Sequence, residues 1–106
     1  MTEGRRITDL KSRAYEVMYI LRSNLGAEVI SAAVTRFREL TEGLGGTVDS
    51  VDEWGMRRMA YEIDDFAEGY YVVMQYSGDE TLNRELDRRL GLDDSVLRFM
   101  IVKQED

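Results

Sequence analysis

Arg57 and Arg58 stand side by side three residues after Trp54, a grouping suited to gripping phosphate and stacking on flat rings rather than to making or breaking bonds. Neighbouring residues of a strand point to opposite faces, so one of the two guanidiniums must turn away from any core. The same pair also suits a solvated strand edge guarded by charge, and both readings stand at this level. Trp54, beside Gly55, fits packing in a core or an interface better than ligand stacking, because an indole brings a large apolar area to bury. Asp64-Asp65 and Asp93-Asp94 are the other pairs with chemical potential. A Mg²⁺ or Ca²⁺ ion needs several convergent oxygens, however, and paired acids in loops are ordinarily just solvated. Glu16 with Tyr or Arg neighbours makes no better acid/base pair, and Gly43, Gly45 and Gly46 precede a strand, not a helix, so they form no phosphate cradle. With neither Cys nor His in the chain, thiol nucleophiles, imidazole bases and the usual zinc sites are removed together. The chain reads as a non-enzyme, with no catalytic residue, no metal and no cofactor.

Composition narrows the partners. The sequence has 106 residues, the common size of one domain, and carries 21 acidic against 14 basic side chains for a formal net charge of −7. A general basic surface for wrapping nucleic acid is therefore excluded, and any RNA contact must be local or shared with a basic partner. Its apolar runs fall far short of the ~20 residues of a membrane helix, and MTEGRRITDLKS has no signal-peptide core. The expectation is a soluble, cytoplasmic protein that engages no membrane and no small-molecule substrate.

The elements that must position these residues follow from periodicity. Residues 1–12 hold only Ile7 and Leu10 as isolated apolar positions among charges and read as a flexible arm. Tyr15 to Leu21 alternates as a strand, with Tyr15, Val17, Tyr19 and Leu21 on one face and Glu16, Met18, Ile20 and Arg22 on the other. From Ala27 to Leu44, the residues Ile30, Ala33, Val34, Phe37, Leu40 and Leu44 form one helical stripe, which Gly45-Gly46 ends. Thr47 to Ile63 reads as a second strand whose alternation changes phase near Trp54-Gly55; a β-bulge there explains the switch, and a tight hairpin at Gly55 is the competing reading. Asp64 to Gly69 is expected to be a loop. After the next strand, Ser77 is expected to cap a second helix over 79–90, with Glu80 completing a capping box and Leu82, Leu86 and Leu90 facing inward. Val96 to Val102 is the last strand, before the polar tail 104–106. The order βαββαβ predicts an α+β, ferredoxin-like domain over 13–103, with two helices on one face of a four-stranded antiparallel sheet.

The third strand, EGYYVVMQY over 68–76, sits where the RNA-stacking strand of an RRM domain would lie. Its residues argue against that use. Glu68 reverses the required charge, Tyr71 fills a small position, and Val72 and Gln75 replace two aromatics. Tyr70, Val72, Met74 and Tyr76 form the more uniformly apolar face, which should turn to the helices, leaving Tyr71 and Val73 to shape the opposite face.

The chain resembles the bacterial type of the sixth protein of the small ribosomal subunit from about Arg13 to Lys103. The resemblance is carried by Arg13 with Tyr15-Glu16, Asn24-Leu25, Gly45-Gly46 leading into Val48 and Val51, Trp54-Gly55 with Arg57-Arg58 and Ala60-Tyr61, Gly69-Tyr70-Tyr71, and Val96, Arg98 and Val102-Lys103. It implies a structural role: binding the central domain of small-subunit ribosomal RNA together with the eighteenth small-subunit protein as a heterodimer, with the isolated chain a monomer. By position it implies RNA or partner contacts at Arg13, Tyr15, Arg57, Arg58, Arg98 and Lys103. Two departures stand out: the family usually has Pro where this chain has Glu62, and often a basic residue at Leu97. Arg5, Arg6 and Lys11 lie in the twelve-residue extension and could add RNA contacts or simply be disordered. A ferredoxin-like regulatory module, binding a small molecule as a homodimer, is the alternative.

Overall fold

The computed structural model describes residues 11–104. Most of the arm read over 1–12, with Arg5 and Arg6, and the last two residues of the tail lie outside that range. The elements run β1 (Arg13–Arg22), α1 (Ala27–Gly43), β2 (Thr47–Ile63), β3 (Phe66–Gly78), α2 (Glu80–Leu92) and β4 (Val96–Lys103). All pairings are antiparallel and the sheet order is β2-β3-β1-β4, so the predicted βαββαβ architecture is the one observed.

The covered face holds the core, for the reason the alternation gives. Tyr15, Val17, Tyr19 and Leu21 of β1 and Val72, Met74 and Tyr76 of β3 are buried against Ile30, Ala33, Val34 and Phe37 of α1 and Leu82, Leu86 and Leu90 of α2. Tyr70 packs partly buried at its margin. Truncating one of the fully buried leucines to Ala should cost about 2–5 kcal/mol, the usual range for a core cavity. The helical stripe differs from expectation at its end: Leu44 is exposed as the C-cap residue, and Thr41 takes the buried place by donating its hydroxyl to the Phe37 carbonyl at 2.8 Å. Gly45, at φ 94°, then turns the chain and Gly46 N–H closes the helix on Thr41 O at 3.0 Å.

Three local expectations are decided by the backbone. β2 is one continuous strand, and its pairing with β3 slips between Glu53 and Gly55, where Gly55 takes φ 87°. That is the bulge, and the hairpin reading at Gly55 is excluded. The loop expected over 64–69 is only the two-residue turn Asp64-Asp65, at φ 50° and 69°, with Ile63 facing Phe66 across it. Asp tolerates the left-handed region better than most residues, which lets the strands run to the tip. The cap expected at Ser77 is at Asp79, whose Oδ1 accepts from Leu82 N–H at 2.8 Å. Ser77 is still in the sheet, facing Ala14 and Thr47, so it cannot take the N-cap position.

Candidate functional site

The chain's cations divide by layer. Every helical arginine is ion-paired: Arg36 to Asp93 at 2.8 Å, Arg38 to Glu42 at 3.5 Å, Arg84 to Glu80 at 3.5 Å, Arg88 to Glu85 at 2.8 Å and Arg89 to Glu85 at 3.6 Å. Among the described residues, Arg13, Arg22, Arg57, Arg58, Arg98 and Lys103 on the strands, and Lys11 just before them, make no ion pair. All five basic residues singled out from the sequence belong to this second group.

The sheet brings the strand cations to separate places. Antiparallel pairing of β1 with β4 sets Tyr15 opposite Lys103, and Gln104 N–H bonds Ala14 O at 2.8 Å. Arg13 and Lys103 thereby converge with Lys11, Tyr15 and Glu80 around a recess of about 180 Å³ at that end of the sheet. Tyr15 contributes little surface: it is 8% exposed, and its ring stacks on Tyr76 at 5.6 Å in the core.

Arg57 faces Gly69 across the ladder and lies on the open side of the sheet, whereas Arg58, opposite Glu68, points to the other side. The open-side guanidinium carbon stands 5.6 Å from the centre of the Trp54 ring, which in turn lies nearly parallel to Tyr71 at 6.3 Å. Trp54 Nε1 donates to Asp52 Oδ2 at 3.3 Å. The indole is 43% exposed, so of the core or interface packing expected for Trp54 the core is excluded; the bulge displays it as an outward platform.

Arg98 occupies the far edge of the same face. Its Nη1 donates to the Tyr61 hydroxyl at 2.5 Å, beside an open apolar recess of about 180 Å³ that includes Met18, Ile20, Met59, Tyr71 and Met100. Lys11 and Tyr61 were the contributors least visible in the periodicity. Lys11 lay within the arm, and Tyr61 and Arg98 stand on the two edge strands, β2 and β4, with β3 and β1 between them.

The acidic pairs have structural uses or none. Asp93 holds Arg36 with Oδ2 and accepts from Ser95 N–H with Oδ1 at 2.9 Å. The described residues contain no group of three or more Asp or Glu side chains arranged to hold a metal ion. Burial pushes the Tyr19 and Tyr76 phenols well above their ordinary range; Tyr76 donates to Asn83 Oδ1, while Tyr19 Oη has no partner among the described residues. The Arg88 hydrogen bond, with the charges of Arg88 and Arg89, holds the Glu85 carboxyl below its usual range.

Fold and site together define a ferredoxin-like domain whose sheet presents an exposed indole and cations that make no ion pair among the described residues. The chain belongs to the ribosomal protein S6 family, whose family model matches residues 14–103. It is 45% identical over 93 residues to the small ribosomal subunit protein bS6 of Clostridium botulinum (strain Hall), covering 88% of this chain and 99% of that one. It is 38% identical over 94 residues to bS6 of Desulfitobacterium hafniense (strain DCB-2), covering 89% and 99%. Among solved structures, the 30S ribosomal protein S6 of Thermotoga maritima superposes with a TM-score of 0.85 at 32% identity, over 89% of each chain. These relatives are ribosomal proteins of the small subunit, as the sequence resemblance implied.

Proposed function

We infer that the chain is a structural component of the cytoplasmic ribosome that binds the central domain of small-subunit ribosomal RNA together with the eighteenth small-subunit protein. The observation that carries this reading is the convergence of Lys11, Arg13 and Lys103 at one end of the sheet, with Glu80 the one carboxylate among the described residues lining that recess, in a chain of net charge −7. Phosphate oxygens are the ligands such a group recognises, through charge-assisted hydrogen bonds that position a nucleic acid without reading its bases. The open face offers something different: an exposed indole, a recess lined by methionines and one guanidinium at its rim. That chemistry suits a protein surface, and a basic partner would meet an acidic chain with favourable charge.

The apolar recess supports the regulatory alternative poorly, since at about 180 Å³ it is smaller than the ~300–1,000 Å³ usual for small-molecule sites. The test is sedimentation of a cell lysate through a gradient at moderate salt. The protein is expected to travel with the small subunit, and its recovery only in the soluble fractions would overturn the reading.

A further inference from the structure

Tyr61 and Arg98 come from opposite edges of the sheet, with β3 and β1 lying between β2 and β4. Their hydrogen bond therefore spans the whole open face. Three features permit that reach. The ladder between β2 and β3 lapses between Arg58 and Ile63, so the intervening residues can lean off β3. Gly69 of β3 presents no side chain at this point, and a Cβ there would collide with Ile20 and stand 3.6 Å from Met59 Sδ. Met59 accordingly crosses the notch towards Ile20 of β1, and both are buried, at 7% and 4% exposed. Tyr61, two residues on, is thereby carried over the recess towards β4.

Tyr61 itself is 62% exposed, so its ring adds little to the core, whereas its hydroxyl holds one of the longest side chains on the open face. Arg98 makes no ion pair among the described residues that could hold it instead. A guanidinium fixed before docking loses less rotamer freedom when it docks.

We propose that Tyr61 is a positioning residue for Arg98, holding its guanidinium at the rim of the apolar recess for a protein partner that buries an apolar side chain there. The proposal rests on the open-face reading given above. A protein is favoured over RNA because methionine and isoleucine walls gain from excluding water around another apolar group, while the convergent cations that suit phosphate lie at the Lys11–Arg13–Lys103 end.

The test is a double-mutant cycle on the full chain, with the purified eighteenth small-subunit protein as the probe and a central-domain RNA transcript as a second probe. Tyr61→Phe should weaken protein binding about three- to tenfold, the usual cost of ordering one long side chain that is no longer fixed before docking. Arg98→Met should weaken it at least as much, and the double variant should be no worse than Arg98→Met alone. In the free protein, the Nη signals of Arg98 should be resolved by NMR and should collapse in Tyr61→Phe. Loss of affinity at Arg98→Met without loss at Tyr61→Phe, or multiplicative losses, overturns the positioning role and leaves open-face docking intact. Wild-type affinity at Arg98→Met removes open-face docking through Arg98, and the positioning role with it. Losses confined to the RNA probe overturn the assignment to a protein.

Discussion

The helix layer and the sheet treat the same residue type in opposite ways. Arg36, Arg38, Arg84, Arg88 and Arg89 each meet a carboxylate three, four or many residues away, so every helical guanidinium is already neutralised. The strand cations have no carboxylate partner among the described residues and stand at an end, on the open face or at an edge. Charge that is already neutralised can add solubility and a little stability, whereas unneutralised charge can be used on a partner. Net charge is therefore a poor guide to where a phosphate could be met: the sheet carries cations without carboxylate partners among the described residues, although the whole chain is acidic.

The strongest way to probe the helix-covered side is through its buried phenols. Tyr19 and Tyr76 lie under the helices and burial raises both above the ordinary phenol range. The unfolded chain therefore releases these protons first as pH rises. Their contribution is fully present below the unfolded value of about 10 and is lost above it, at about 1.4 kcal/mol per pH unit for each phenol until the folded values are reached. Denaturant titrations between pH 8 and 11.5 should show that fall, with Tyr19→Phe making it shallower. Because Tyr19 Oη has no hydrogen-bond partner among the described residues, this variant should cost little at neutral pH. An unchanged slope in Tyr19→Phe counts against burial of an unpaired hydroxyl.

On the open side, Gly69→Ala should have the next largest effect, about 1–3 kcal/mol of destabilisation, because the added methyl meets Ile20 and the Leu21 carbonyl. Hydrogen exchange should then rise selectively in residues 59–62, where the β2–β3 ladder already lapses. Uniform loss of protection would instead make Gly69 a global packing residue with no special link to the Met59 crossing.

Legibility in the sequence followed the range of the interactions. The inward stripe of Ile30, Ala33, Val34 and Phe37, and the split of Tyr70 from Tyr71, come from periodicities that any window of a few residues displays. The bulge at Trp54-Gly55 was visible because an inserted residue leaves a phase change behind it. Ser77 and Asp79 could each have capped α2, and the choice depended on Ser77 being held between β1 and β2, a long-range fact. Asp64-Asp65 looked like part of a loop because paired acids mark turns without fixing turn length. Arg57 and Arg58 were visible as a pair and Arg13, Arg98 and Lys103 through family resemblance, but their division among the end cluster, the open face and, for Arg58, the opposite side needed the strand order and register. The Tyr61–Arg98 bond needed that order and the lapse of the β2–β3 ladder between Arg58 and Ile63.

At the end of the sheet, Arg13→Ala with Lys103→Ala should weaken binding to a central-domain RNA transcript about tenfold and lower the salt slope by about two, one for each phosphate contact removed. Stability should stay within about 0.5 kcal/mol of the parent, as expected for exposed side chains without partners. A fall in affinity with an unchanged salt slope would mean that these cations act through something other than phosphate.

The smallest effect should come from a helical arginine, and its smallness is what makes it informative. Arg36 bonds Asp93 Oδ2 through Nη2 at 2.8 Å and through Nε at 3.2 Å, and its guanidinium also lies 5.2 Å from the centre of the Phe37 ring. The arginine is 47% exposed and the aspartate 18%, so solvent screens the pair and its net worth is about 1 kcal/mol or less. Arg36→Met keeps much of the stem packed on Phe37 and removes only the charge, while Asp93 retains Ser95 N–H. Thermal or denaturant unfolding should therefore register a loss of about 1 kcal/mol or less, and binding to RNA should be unaltered at every salt concentration. Both variants, at Arg36 and at the Arg13–Lys103 end, make the chain more acidic. If Arg36→Met weakens RNA binding as well, net charge governs the contact; if it does not, affinity follows the unneutralised cations of the sheet.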